Sequence, residues 1–398
     1  MSYELDGAVV WPVPPDWSEP VRERLEWLTD VIRARNGRVQ KRRLRRAPRR
    51  FLEFNVIADE QARRVADALL MDHGGGAWSL PIWPDVQILD AAVPAMASSI
   101  TCRTAGFDFA DDGAALLWRG LNEWALLGVD TVGPAGLTLS SSPLYEWPAG
   151  TRLYPVRLAR LAEQPEEAGW TDAAGQRAVA MRIDEPCDWP EVLPTTMYRG
   201  YPVLERRPDA GEDIASRFGR DLEELDVQTG PVATFDRAGR AFRSGALRWI
   251  AHGRDENTAL RSLLCGLAGQ WASLWVPTWN ADLVLTAPVS SGADSISVQW
   301  AAYTVAGRMQ SNWRDIRIEL WNGTVLYRRI TDAAEAGATE ILDIDAPLGV
   351  AVSPADVRVI SFLVFGAQES DVVELEHVTD GDGLTITSTR FVGERNDV

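Results

Sequence analysis

Residues Leu52–Trp83, LEFNVIADEQARRVADALLMDHGGGAWSLPIW, are answered later in the chain by Leu247–Trp279, LRWIAHGRDENTALRSLLCGLAGQWASLWVPTW. Each stretch reads as a strand, a helix opened by Asp-Glu, and a second strand carrying Pro and Trp. Phe54, Asp59, Glu60, Pro81 and Trp83 match Ile250, Asp255, Glu256, Pro277 and Trp279 at one constant offset. The same offset continues through Ser99-Ile100-Thr101 and Ser295-Ile296-Ser297, and Pro148, Ala149 and Arg152 are answered by Pro354, Ala355 and Arg358 at a slightly larger one. Inside the helices identity is lost but an apolar face remains at helical spacing, with Ala62, Val65, Ala66 and Leu69 in one and Leu260, Leu263, Leu264 and Leu267 in the other. The period exceeds the roughly 20 to 50 residues of a solenoid unit, so the pattern predicts a whole domain used twice.

Outward from the repeat, strand-like runs separated by Gly, Pro, Asp and Asn turns continue at the spacing of an all-β sandwich. In the first unit they are Arg49–Val56, Ala77–Ile82, Ser98–Ala105, Ala115–Trp118, Trp124–Val129, Gly136–Ser140, Arg152–Leu161 and Ala178–Ile183, with Glu163–Gly175 as a loop. The second unit carries a similar series ending at Leu384–Phe391, including a hairpin at Asn322-Gly323, where Asn-Gly suits positive φ. The expected fold is therefore mainly β (α+β): two tandem related β-sandwich or β-barrel-like domains, each with one short packed helix. Residues 1–50 are expected to form an N-terminal arm, helix and basic segment, 51–190 the first domain, 191–240 a connector, and 241–398 the second domain. Within the first segment Pro12, Pro14 and Pro15 favour an extended arm up to Trp17. Val21, Leu25, Leu28 and Ile32 form a stripe that predicts a helix over Pro20–Arg35, stopped by Asn36-Gly37. The connector is expected to be mostly helical near Ile214–Leu225, and disorder is expected only after Val392.

A chain of 398 residues can build two cores of ordinary size. Its formal net charge of −17 disfavours sequence-independent nucleic-acid binding, because a polyanion is repelled at long range. The opening Met1–Asp6 lacks the basic and apolar regions of a secretory signal, and the longest nearly apolar run, Leu263–Pro277, is too short to cross a bilayer. Synthesis in a cytoplasm is the expectation.

Reactive motifs are sparse. Cys102, Cys187 and Cys265 have no metal-type spacing and read as structural thiols, so neither a metal nor a cofactor is expected. His73, His252 and His377 are not spaced near a candidate nucleophile, and Gly74-Gly75-Gly76 lacks the Lys of a phosphate loop. Paired acids such as Asp111-Asp112 and Glu223-Glu224 suit solvated surface better than a glycosidase cleft. The 17 tryptophans fit a core or a subunit contact better than a sugar-stacking face, although carbohydrate binding remains the alternative. Within the run Arg33–Arg50 no aromatic interleaves the basic residues, so the stacking half of a single-strand binder is missing. In so acidic a chain this block, with Arg42, Arg43, Arg45 and Arg46 at its centre, is the candidate subunit interface together with Trp11 and Trp17. Its complement is an acidic stretch such as Glu212–Asp226 or Glu163–Glu167 on another copy.

The opening Trp11-Pro12, Trp17-Ser18-Glu19-Pro20-Val21, Leu25-Glu26-Trp27-Leu28-Thr29-Asp30-Val31, Asn36-Gly37, Gln40, Arg43-Leu44-Arg45 and Pro48-Arg49-Arg50 resembles the start of tail proteins of tailed bacteriophages and prophages. Gly230-Pro231, Phe235-Asp236, Gly239, Phe242 and Leu247-Arg248-Trp249 resemble the same type of domain. The resemblance implies a non-enzymatic distal-tail or baseplate protein of the virion that forms rings at the end of the tail tube. The implied partners are further copies of itself, as a hexamer or a pseudo-six-fold trimer, and the tube, tape measure and hub proteins. It implies neither membrane insertion nor specific nucleic-acid binding.

Overall fold

The computed structural model describes every residue except Met1–Tyr3, Asp6, Arg35, Met309 and Asn396–Val398. Arg35, expected to end a helix, thus lies outside the described residues, as do parts of both termini. The chain is mainly β and sandwich-like, with open sheets in place of closed barrels.

Two runs of elements follow one another with the same order of pairing. The first comprises β1 (Val21–Glu26), β2 (Thr29–Arg33), β3 (Val39–Arg43), β4 (Arg49–Asp59), α1 (Glu60–His73), β5 (Trp78–Pro81), β6 (Ser99–Thr101), β7 (Ala114–Gly120), β8 (Glu123–Gly133), β9 (Gly136–Leu139), β10 (Arg152–Leu161), β11 (Glu167–Gly169) and β12 (Ala174–Ile183). The second comprises β13 (Ser216–Gly219), β14 (Leu222–Leu225), β15 (Ala233–Asp236), β16 (Phe242–His252), α2 (Gly253–Leu267), β17 (Leu274–Pro277), β18 (Ser295–Gln299), β19 (Asp315–Leu320), β20 (Val325–Ala336), β21 (Thr339–Ile344), β22 (Val357–Gln368), β23 (Val372–His377) and β24 (Leu384–Gly393).

Register agrees as well as order. Pro81 lies opposite Val156 and Pro277 opposite Leu363; Ile100 faces Leu137 and Ile296 faces Leu342; Leu117 faces Leu153 and Ile318 faces Ile360. Even the irregularity recurs, since the β8–β9 ladder slips between Val129 and Thr131 and the β20–β21 ladder between Ile330 and Asp332. A bulge bends a strand at a defined point, so its recurrence at the matching position marks one architecture built twice.

The repeats begin earlier than the sequence pattern implies. Residues 20–34 hold β1 and β2, with no helix, and residues 214–225 enter β13 and β14. The expected helix with its basic segment, and the connector, are the opening strand and hairpin of each repeat, because β1 pairs with β4 as β13 pairs with β16. Before them, Val9 bridges Trp78 in parallel as Val203 bridges Trp275. The Asp-Glu pairs are not equivalent. Phe54 lies opposite Val179 and Leu247 opposite Thr389, which makes His252 the counterpart of Asp59 and leaves Asp255-Glu256 in the first turn of α2. A longer α2 and a longer link to β17 then restore the apparent match at the Pro and Trp. The expected acidic loop 163–175 contains β11, and the chain beyond Val392 keeps its order through Glu394, which is buried.

Each repeat has two cores. One lies beneath the helix, with Leu52, Phe54, Trp78 and Val179 in the first repeat and Leu247, Trp249, Leu264 and Leu274 in the second. The other lies among the strands beyond it, around Ile100, Leu117 and Leu137 or Ile296, Ile318 and Leu342. Inward positions alternate along β4, where Arg50, Leu52, Phe54, Val56 and Ala58 are all buried, as a half-buried strand requires.

Candidate functional site

The repeats meet edge to edge. Strand β1 of the first pairs antiparallel with β23 of the second, Glu23 opposite Leu375, so that one sheet runs β11, β12, β4, β1, β23, β24, β16, β13. The hairpin β2–β3 reinforces this seam: Thr29 and Trp27 bond through their backbone N–H to Asp371, and Lys41 Nζ lies 2.7 Å from Glu394.

Under the seam lies a charge cluster assembled from distant parts of the chain. Four guanidinium groups, of Arg50, Arg157, Arg254 and Arg261, and three carboxylates, of Glu23, Asp85 and Asp108, are all buried. Arg50 Nε is 2.6 Å from Glu23, and its Nη1 also bonds Asp108. From α2 of the other repeat, Arg261 reaches Glu23 at 2.9 Å and Arg254 reaches Asp85 at 2.6 Å. Arg254 also stacks 4.3 Å from the Phe107 ring centre. Arg157 binds Asp108 at 2.5 Å and extends to the more exposed Glu185 and Asp188.

Burial alone raises a carboxyl pKa, but here Arg261 and Arg50 outweigh it and hold Glu23 well below the usual range. Asp85 is likewise lowered, because Arg261 and Arg254 overcome its burial. His377 is held below its ordinary value by burial, against the pull of Glu23, and is therefore neutral near pH 7. A carboxylate only accepts, so His377 Nε2–H donates to Glu23 at 3.0 Å while Nδ1 accepts from Thr385 Oγ1. Removing one member of such a cluster would leave an uncompensated buried charge.

The proposed interface residues divide among different roles. Trp11 is in the core, its Nε1–H bonded to the Val13 carbonyl at 2.8 Å and its ring edge-on to Trp78. The three prolines hold its segment extended beside β5, and this removes Trp11 from any subunit surface. Trp17, at φ +57°, packs half-buried against the same core. Of the basic block, Arg43 is taken up by Glu191 at 2.6 Å and by the carbonyls of Arg45 and Arg46, and Arg45 bonds the Glu26 carbonyl. Arg42 and Arg46 are exposed. Within the block Lys41, Arg43, Arg45 and Arg50 are taken up inside the chain, while Arg33, Arg38, Arg42, Arg46 and Arg49 are exposed.

Cys187, which the sequence leaves unconnected with Cys265, packs against the core that contains it, and burial pushes the Cys102 thiol up to about 11. Among the described residues no group of three or more His, Cys, Asp or Glu side chains is placed to hold a metal ion, and no helix is long and apolar enough to cross a membrane. Neither a scan against protein-family models nor a search of curated proteins finds a match for this chain.

Proposed function

We propose that this protein is a structural component of a bacteriophage tail tip or baseplate, of the distal-tail type, which assembles into a ring at the end of the tail tube. One observation carries the reading: the two repeats are joined side by side through their sheet edges, with the outer edges β11 and β13 exposed at either end. A module joined in this way makes heterologous contacts, and such contacts close into a ring when the rotation between modules permits. The two modules of one chain then occupy successive positions around the same ring. Three copies forming a pseudo-six-fold ring suit this arrangement better than six copies. The tube, tape measure and hub proteins are the partners proposed above and below the ring.

Mass measurement of the purified protein, with electron microscopy, tests the proposal: a closed ring of three chains is expected. A monomer at every concentration would overturn it. The rival reading, recognition of a host glycan, would be favoured instead by saturable binding that is lost when Trp321, 69% exposed at the β19–β20 turn, is replaced by Ala.

A further inference from the structure

The two strands of the junction inside the chain have counterparts at its outer sheet edges. By the matched ladders, β13 is the counterpart of β1 and β11 the counterpart of β23, and within the chain β1 and β23 pair with each other. Among the described residues their counterparts have no strand beside them on the outer side: β13 pairs only with β16 and β11 only with β12, and every residue of both is exposed. Exposed sheet edges are templates for strand addition.

We infer that β13 of one copy pairs antiparallel with β11 of a second copy of this chain, in the register that β1 and β23 already use. This rests on the ring reading and gives it an atomic contact. Glu23 lies opposite Leu375, and the matched positions are Ser216 and Glu167. One step along, Arg24 lies opposite Glu374, and the matched positions are Arg217 and Glu166, again of opposite charge. The backbone is aimed correctly. The Ala215 carbonyl accepts from the Ala246 N–H of β16, so by alternation the N–H and C=O of Ser216 point to the open edge.

The surroundings of the two edges agree with this pairing. In the closed seam α2 drives Arg254 into a socket formed by Asp85 and Phe107. At the open end of the second repeat, Asp282 stands one residue beyond the position that matches Asp85, in a cleft of about 370 Å³ walled by Tyr303, Trp313 and Phe362. The helix that meets this cleft under the same operation is α1 of the next copy. Its outer face is uncovered, with Met71 90% exposed, whereas α2 is buried along most of its length.

The test uses the full-length chain. Antiparallel neighbours are about 4.5–5.5 Å apart at Cα, within disulfide range. S216C and E167C variants are purified separately, then mixed and oxidised with glutathione disulfide. Covalent dimers are expected in the mixture and not in either variant alone, and the double variant should give a ladder ending at the closed ring. In parallel, S216P removes an outward N–H while leaving the β13–β16 ladder intact, and should weaken association about ten-fold or more with an unchanged circular dichroism spectrum. Rings that form without the mixed cross-link, and that S216P leaves unaffected, would overturn the edge pairing while sparing the ring reading. A chain that stays monomeric throughout would overturn both.

Discussion

The two helices show what a covered edge does to a module. In α2, Arg254, Asn257, Arg261 and Ser262 are buried along with Leu260, Leu264 and Leu267, because the first repeat lies against its outer side. In α1 the only buried residue is Ala66. The sheets beneath them are the same in order and register, so the difference comes from neighbours and not from the module's own folding. A polar residue on a helix face is therefore ambiguous in isolation: Arg261 looks like a solvated residue in sequence and is buried against Glu23 in the fold.

The largest effect that would break this contrast is expected at Glu23. Glu23→Ala strands Arg50 and Arg261 without their shared carboxylate and should cost about 3–5 kcal/mol in chemical denaturation, whereas Ser216→Ala at the matching open position should cost less than about 0.5 kcal/mol. Equal losses at the two positions would mean that the seam has no special stability. Acid should act on the same joint. His377 is depressed in the folded state, so the unfolded chain binds the extra proton, and stability should begin to fall as pH drops below about 6.5. Glu23 is also depressed, so a further loss follows as its unfolded carboxyl protonates near about 4.3 and below. Denaturation midpoints at descending pH, with His377→Gln removing the upper part of the slope, check both signs.

Smaller effects sharpen the comparison. Arg43→Glu should lower monomer stability by up to about 1 kcal/mol, because it sets two acids against each other at Glu191, while Arg42→Glu with Arg46→Glu should leave the melting curve unchanged and report only on assembly. Smallest in energy is a difference in hydrogen exchange. Amides of α1 should exchange faster than those of α2 in dissociated protein, and the gap should narrow once rings form.

Much of the fold was legible because its signals are local: Pro81 and Pro277 close matched strands, Asn322-Gly323 turns a hairpin, and apolar faces mark both helices. The first strand was not legible for a physical reason. Val21, Glu23 and Leu25 all point inward along β1, but a buried Glu breaks apolar alternation and leaves a stripe that also fits a helix. What makes Glu23 tolerable inside is supplied by Arg50, Arg261 and His377, and no window of sequence contains all four. The same distance hid the seam. The basic block was visible as a charge run, but the partners of Lys41 and Arg43 are Glu394 and Glu191, so the intramolecular use of these members was beyond reach.

Covalent linkage of the two modules also divides labour between their junctions. The link places β1 and β23 at high effective concentration, so this contact forms during folding of a single chain and need not be found by collision. It can accumulate buried ions without slowing assembly. On the proposed ring reading, its counterpart at β11 and β13 has no such linkage, so that contact must be found by collision between copies. Fusion thus makes one of the two edge contacts a matter of folding alone.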